Sequence, residues 1–315
     1  MIVTLTGTGT SHGIPVIGCE CPVCRSTDPH DTRLRCSAYV QAGDTALVID
    51  TGPEFRIQAL KYNIKHLDAV LLTHSHADHL NGLDDIRIFS HTASAGKDNR
   101  TANVLPLYAN GATLRDIKTR FSYIFAQTQQ GGGKPLLNLF DADEYSKENP
   151  VVVRNRREGA QNANSAQTAP QTVAANPQTE AAQDSELLCF PLPMKHGSLD
   201  VIGWNIRERN ATAEKSFSYM TDCSAIPDGS IKLIQGTEHL VIDGLRETPH
   251  PTHFSFLQAL ECAARIRPKN VWLTHITHNS SHEQINAWLA EHKKQFPELA
   301  DIPVHAAYDG LKLTI

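Results

Sequence analysis

The sequence predicts an α/β protein built of layered sheets and helices. Short apolar segments bounded by Gly, Asp or Pro recur from the first residues. Helical spacing falls between them, and the same alternation restarts in the second half of the chain. With 315 residues, 40% of them hydrophobic, the chain can bury a sizeable core, and residues 1–315 are read as a single domain.

Residues 2–6, 38–41 and 46–50 read as strands, and 54–62 as a helix with Phe55, Ala59 and Tyr62 on one side. A buried strand, 69–73, then runs directly into His74. Asp84 and Asp85, in Gly82-Leu83-Asp84-Asp85-Ile86-Arg87, mark a helix start. In the second half, strands are expected at 188–192, 201–206, 217–221, 239–243 and 270–273, and helices at 255–266 and 281–291. Between the halves, residues 126–187 are expected to be a partly structured surface insertion. From about 159 to 186 the chain is mostly Ala, Gln, Asn, Ser and Thr, with Val173 its single β-branched aliphatic residue. Such a stretch cannot offset its ordering entropy by burial, so it is expected to be disordered. Gly131-Gly132-Gly133 marks a second flexible point.

Charged residues make up 20% of the chain, with a net charge of −5 and a pI near 6.3. That balance favours a small substrate over a basic grip on nucleic acid. No basic segment precedes an apolar one at Met1-Ile2-Val3, and no apolar run approaches the roughly 18 residues of a membrane helix. The expectation is a cytoplasmic protein without membrane contact, with a homodimer as the default assembly.

Chemistry concentrates in Thr73-His74-Ser75-His76-Ala77-Asp78-His79. His74 and His76 are two apart and point the same way from an extended strand end. Asp78 and His79 follow as the chain turns. Three imidazoles and a carboxylate in six residues suit zinc, manganese or iron. A second group, Cys19, Cys21 and Cys24, places three thiols in six residues. A structural zinc there needs a fourth ligand, and His278 is the candidate. Asp50 and Thr51, at a neighbouring strand end, are expected to orient ligands. His12, in loop 8–15, receives no role.

The His-x-His-x-Asp-His motif resembles the metallo-β-lactamase superfamily, which implies an αβ/βα four-layer sandwich. The resemblance implies further ligands at later strand ends, matched here by His196, Asp222 and His275. It implies one metal on His74, His76 and His196, another on Asp78, His79 and His275, and Asp222 bridging them. Such a pair sits roughly 3.5–4 Å apart, and a shared water loses its proton near neutral pH, giving the expected nucleophile. The Cys-x-Cys-x-x-Cys pattern after Gly7-Thr8-Gly9 is similar to the carbon–phosphorus lyase accessory phosphodiesterases, which act on phosphoribosyl 1,2-cyclic phosphate. That resemblance runs from Gly7 to Tyr308-Asp309-Gly310, except across the insertion. It implies a structural Zn2+ beside a dinuclear Mn2+ or Zn2+ site.

His253 matches the position where phosphodiesterases of the superfamily keep the acid for the leaving alkoxide. His250 is its rival on spacing alone. The expected function is hydrolysis of a small cyclic or ribose-linked phosphodiester. The alternatives are an RNA-processing endonuclease of the tRNA 3′-end type and a non-enzymatic relative from cofactor biosynthesis. The first carries a basic Gly-rich arm, whereas here Arg154, Arg156 and Arg157 precede an almost uncharged stretch. The second is expected to lose ligands, and all seven stand here.

Overall fold

The computed structural model describes residues 1–91, 104–127, 133–156 and 185–315. Two sheets of seven strands face each other among the described residues. The first is built from β1 (Ile2–Gly7), β2 (Ser37–Ala42), β3 (Thr45–Ile49), β4 (Ala69–Leu71), β5 (Leu105–Ala109) and β6 (Leu137–Asp141), with β14 (Lys312–Thr314) beside β1. The second holds β7 (Val151–Val153), β8 (Leu187–His196), β9 (Leu199–Glu208), β10 (Phe217–Met220), β11 (His239–Asp243), β12 (Asn270–Thr274) and β13 (Val304–Ala306). Each sheet runs through three antiparallel pairings and then three parallel ones. The alternation that restarts in the sequence is thus a repeated sheet plan.

Period-two alternation builds the layers. Leu47, Ile49, Ala69 and Leu71 point between the sheets, where they meet Trp204, Phe217 and Tyr219. Their neighbours Ala46, Val48, Val70 and Leu72 point outward onto Phe55, Leu114 and Ile117, carried by α1 (Phe55–Lys61) and, after the short helices α2 (Ala77–Leu80) and α3 (Arg87–His91), by α4 (Gly111–Arg120). The outer face of the second sheet is covered beyond α5 (Ser122–Phe125) and α6 (Asp228–Leu233) by α7 (Phe256–Ile266) and α8 (His282–His292). Ser255 and Ser281 start these two helices with capping boxes to Gln258 and Gln284. Helix, sheet, sheet and helix make the four-layer αβ/βα sandwich. Each fully buried Leu or Ile contributes roughly 1.5–3 kcal/mol to it.

The range 126–187, expected to be a surface insertion, contains β6 and β7, which form the outer edges of the two sheets. The insertion is therefore narrower than expected, because two short strands within it carry little alternation. The stretch 159–186 lies outside the described residues except for its end. There Ser185 O accepts from Thr45 Oγ1 at 2.6 Å, and Glu186 pairs with Arg154 and Arg209. Gly131 and Gly132 also lie outside. Asp84 and Asp85 begin a 3-10 turn over Leu83–Ile86 that leads into α3.

Candidate metal centre

The strands deliver their C-terminal ends to one rim of the sandwich. Beyond β4, Leu72 N–H donates to Tyr108 O at 2.9 Å, and Ile202 N–H donates to Thr73 O at 3.1 Å. Trp204 Nε1–H reaches Leu72 O at 3.2 Å. The segment that leads into His74 is thereby tied to both sheets. His76 precedes α2, whose first turn carries Asp78 and His79. His196 ends β8, while Asp222 and His275 follow β10 and β12. Asp50, Asp222 and His275 adopt left-handed backbone conformations, with φ of 61°, 55° and 61°. Non-glycine residues held there cost roughly 1–3 kcal/mol each, a strain that collects at functional sites.

The rim brings the seven side chains together in two sets. His74, His76 and His196 form one, and Asp78, His79, Asp222 and His275 form the other, with ligand-type atoms in each set within 4.8 Å of one another. Asp222 also groups with His196 and His253 at that distance, so it lies between the sets. Its Oδ2 is 3.1 Å from His79 Nε2 and its Oδ1 is 3.1 Å from His275 Nε2. His79 Nε2 is 3.2 Å from Asp78 Oδ2. Ligands about 2.1 Å from a common ion stand about 3.0–3.4 Å apart, so these spacings fit a divalent cation.

Hydrogen bonding supports the same fit. Buried His74 Nε2, His79 Nε2 and both nitrogens of His275 have no hydrogen-bond partner, although carboxylates lie close to two of the three rings. The groups converge on a point rather than on each other. On His79, His196 and His74 the opposite nitrogens are committed elsewhere. His79 Nδ1 binds Asp50 Oδ2 at 2.7 Å, and His196 Nδ1 binds Thr252 O at 2.7 Å. His74 Nδ1 lies 3.0 Å from Thr73 Oγ1, which itself donates to Asp50 at 2.8 Å. Such partners fix the tautomer and leave Nε2 free to ligate.

The electrostatics also suit a cation. Burial opposes the charge of Asp222, yet His275 and His79 hold its carboxyl well below the usual carboxylate range. Burial likewise opposes charge on His79, but Asp222, Asp78 and Asp50 together lift it well above the ordinary imidazole range. Three carboxylates around one imidazole are a demand for positive charge.

His253 joins this rim and His250 does not. Its ring stacks on His275 at 4.6 Å and meets His196 edge-on at 4.5 Å. His253 Nδ1 binds Asp243 Oδ2 at 2.7 Å, and the residue is 9% exposed. His250 sits one ring further out, 5.3 Å from His253, with Nδ1 3.2 Å from Thr252 Oγ1. The sequence reading missed Asp243 and the Thr252 carbonyl. Asp243 did carry a signal, because it closes the apolar run 240–242 as Asp50 closes 46–49. Thr51 is buried with its N–H on His79 O at 2.8 Å. Exposed His12 belongs to none of the metal-type clusters among the described residues.

Cys19, Cys21, Cys24 and His278 form a separate cluster. The three sulfurs lie 3.4, 3.5 and 3.3 Å from His278 Nδ1. Tetrahedral zinc with Zn–S near 2.3 Å and Zn–N near 2.0 Å sets that spacing at about 3.5 Å. A hydrogen bond from Cys24 N–H holds the Cys21 thiol down to about 6, a thiolate at neutral pH.

The family description of a beta-lactamase superfamily domain matches residues 45–276, which include all seven rim residues. A crystal structure of a new diphosphatase from the PhnP family is 33% identical, with a TM-score of 0.69 over 100% of this chain and 97% of that one. An octanoyltransferase of Porphyromonas gingivalis (strain ATCC BAA-308 / W83) is 32% identical over 314 residues, 99% of this chain. Those residues are 51% of that protein, so the chain spans about half the length of this curated relative. Zn2+-bound PqqB from Methylobacterium extorquens shares the fold, with a TM-score of 0.65 and 16% identity over 100% of each chain. The chain belongs to the β-lactamase superfamily, has the metallo-β-lactamase fold and carries clusters of metal-ligating side chains at its rim.

Proposed function

We propose that the chain is a phosphodiesterase acting on a small cyclic or ribose-linked phosphodiester. The observation that carries this reading is the Asp243–His253 pair at the edge of the ligand cluster. With Nδ1 bound to Asp243, the nitrogen left for a substrate is Nε2. A protonated Nε2 can pass its proton to a departing alkoxide, which leaves poorly without one. We assign His74, His76 and His196 to one ion, Asp78, His79 and His275 to a second, and Asp222 to both. We assign Cys19, Cys21, Cys24 and His278 to a structural zinc. Two Zn2+ or Mn2+ ions at the rim would polarise the phosphoryl oxygens and acidify the attacking water.

A second reading is diphosphate hydrolysis, favoured by the 33% identical PhnP-family diphosphatase. Its leaving group is a phosphate, which needs no proton to depart, so that reading gives His253 less to do. Octanoyl transfer is not proposed for this chain. The match covers 51% of that relative, so its activity need not reside in the part this chain resembles.

The test is His253→Ala, assayed on a 2′,3′-cyclic nucleotide and on a nitrophenyl diester. The ribose ester is expected to lose roughly 10²–10⁴-fold in turnover, with metal content unchanged. The nitrophenolate leaves without help and is expected to lose much less. Equal losses would make His253 a phosphate-binding group. A crippled His250→Ala beside a normal His253→Ala would move the acid role to His250. Turnover of diphosphates without any diester turnover would replace the reading with the second one.

A further inference from the structure

Three strand ends at the rim share a residue type that ligation alone does not explain. Thr73 precedes His74, Thr221 precedes Asp222 and Thr274 precedes His275, and all three threonines are fully buried. A β-branched residue suits the end of a strand, but a buried hydroxyl must also find a partner. Thr73 Oγ1 donates to Asp50 Oδ2 at 2.8 Å, and Thr274 Oγ1 lies 3.4 Å from the Cys36 sulfur. Thr221 goes to a carboxylate of the ligand cluster itself, its hydroxyl donating to Asp222 Oδ2 at 2.6 Å. The backbone fixes the Cβ of an aspartate, but not the turn of its carboxylate. That last torsion is broad and nearly two-fold, so the two oxygens exchange places unless a contact holds one of them. Each oxygen has two lone pairs. On Oδ2 one of them takes the Thr221 proton, and the other is left for the side of His79, whose Nε2 is 3.1 Å away. Oδ1 accepts no hydroxyl or backbone N–H among the described residues, and faces the unpartnered His275 Nε2 at 3.1 Å.

We propose that Thr221 is a positioning residue for the metal pair, whose hydroxyl occupies one oxygen of Asp222 and so makes Oδ1 the oxygen shared between the two ions. This rests on the assignment of Asp222 to both ions. Without the hydroxyl the carboxylate can turn, and its shared oxygen is no longer aimed between them. The second ion is then held less tightly.

Metal titration tests this without turnover. The whole chain, stripped of rim metal with a mild chelator, is titrated with Mn2+ and followed by calorimetry and electron paramagnetic resonance. The wild type is expected to take up two ions that give a spin-coupled signal. Thr221→Val keeps the shape and loses the hydroxyl, and is expected to bind the second ion roughly 10- to 100-fold more weakly. Thr221→Ser restores the hydroxyl and is expected to recover most of that loss. Melting temperatures close to wild type would show that the variants fold, and Thr221→Ala carries the same test if the Val variant does not. Wild-type affinity for the second ion in Thr221→Val, or a Ser variant as weak as the Val variant, overturns the role of Thr221 alone. A wild type that binds a single ion, or two without coupling, overturns the shared role of Asp222 and this inference with it.

Discussion

Asp243 Oδ2 takes the Cys223 backbone N–H at 2.8 Å as well as His253 Nδ1 at 2.7 Å, so the carboxylate is itself held in place. A carboxylate so fixed sets both the tautomer and the ring orientation of its histidine. Asp243→Asn keeps the size and loses the charge. Activity on ribose esters is expected to fall roughly 10- to 100-fold while metal content stays constant. Unchanged kinetics would show that His253 needs no anchor. At this scale the chemistry was legible where it is local. His74, His76, Asp78 and His79 announce themselves within six residues. The letters Leu-Val-Ile-Asp occur at residues 47–50 and again at 240–243, and in both places the Asp holds a histidine. Only the first was read as an orienting residue. The second needed the path of a loop, and the choice between His250 and His253 needed it too.

Between elements, close backbone contact adds to the packing of buried Leu80 in setting the position of α2. A Cβ added at Gly52 would lie 2.1 Å from Asp78 O, and one at Gly82 would lie 2.0 Å from Gly52 O. Thr51 N–H also donates to His79 O, and Gly82 N–H to Thr51 O, both at 2.8 Å. Gly52→Ala must therefore push the turn bearing Asp78 and His79 away from β3. The expected result is a loss of about 1–3 kcal/mol in denaturant unfolding together with reduced metal at the rim. Wild-type metal content in that variant would mean that the turn tolerates displacement. Strand ends were the least legible elements. β8 was expected over residues 188–192 and instead runs from Leu187 to His196, through Pro191 and Pro193. Both lie beyond the reach of β7, which pairs only with 187–189, so on that side their missing N–H groups cost no ladder bond. β6, β7, β13 and β14 are three to five residues long, too short to show a period.

The whole molecule is tied across its length by the cysteine cluster. Residues 19–24 meet His278, more than 250 positions away, and His278 is three residues from His275 at the rim. Metal held there would close a very long loop, the case in which a clip restrains the unfolded chain most. Cys21→Ser is expected to lower bound zinc by one equivalent and to lower the melting temperature, while metal at Asp222 persists. Normal zinc in that variant would remove the structural site. A layered α/β architecture was legible from strands alternating with helices and from the restart after the insertion, while the count of four layers came from the family resemblance.

The pairing of β14 with β1, Ile2 to Thr314 and Val3 to Leu313, also has a consequence for biosynthesis. Within this chain β1 is completed by a strand that lies about 310 residues further on. At roughly 5–20 residues per second, about 15–60 s separate the two. Through that interval β1 can pair on the β2 side alone, and its other edge of N–H and C=O groups stays open to any passing strand. The nascent chain must be shielded at this edge until β14 has been made.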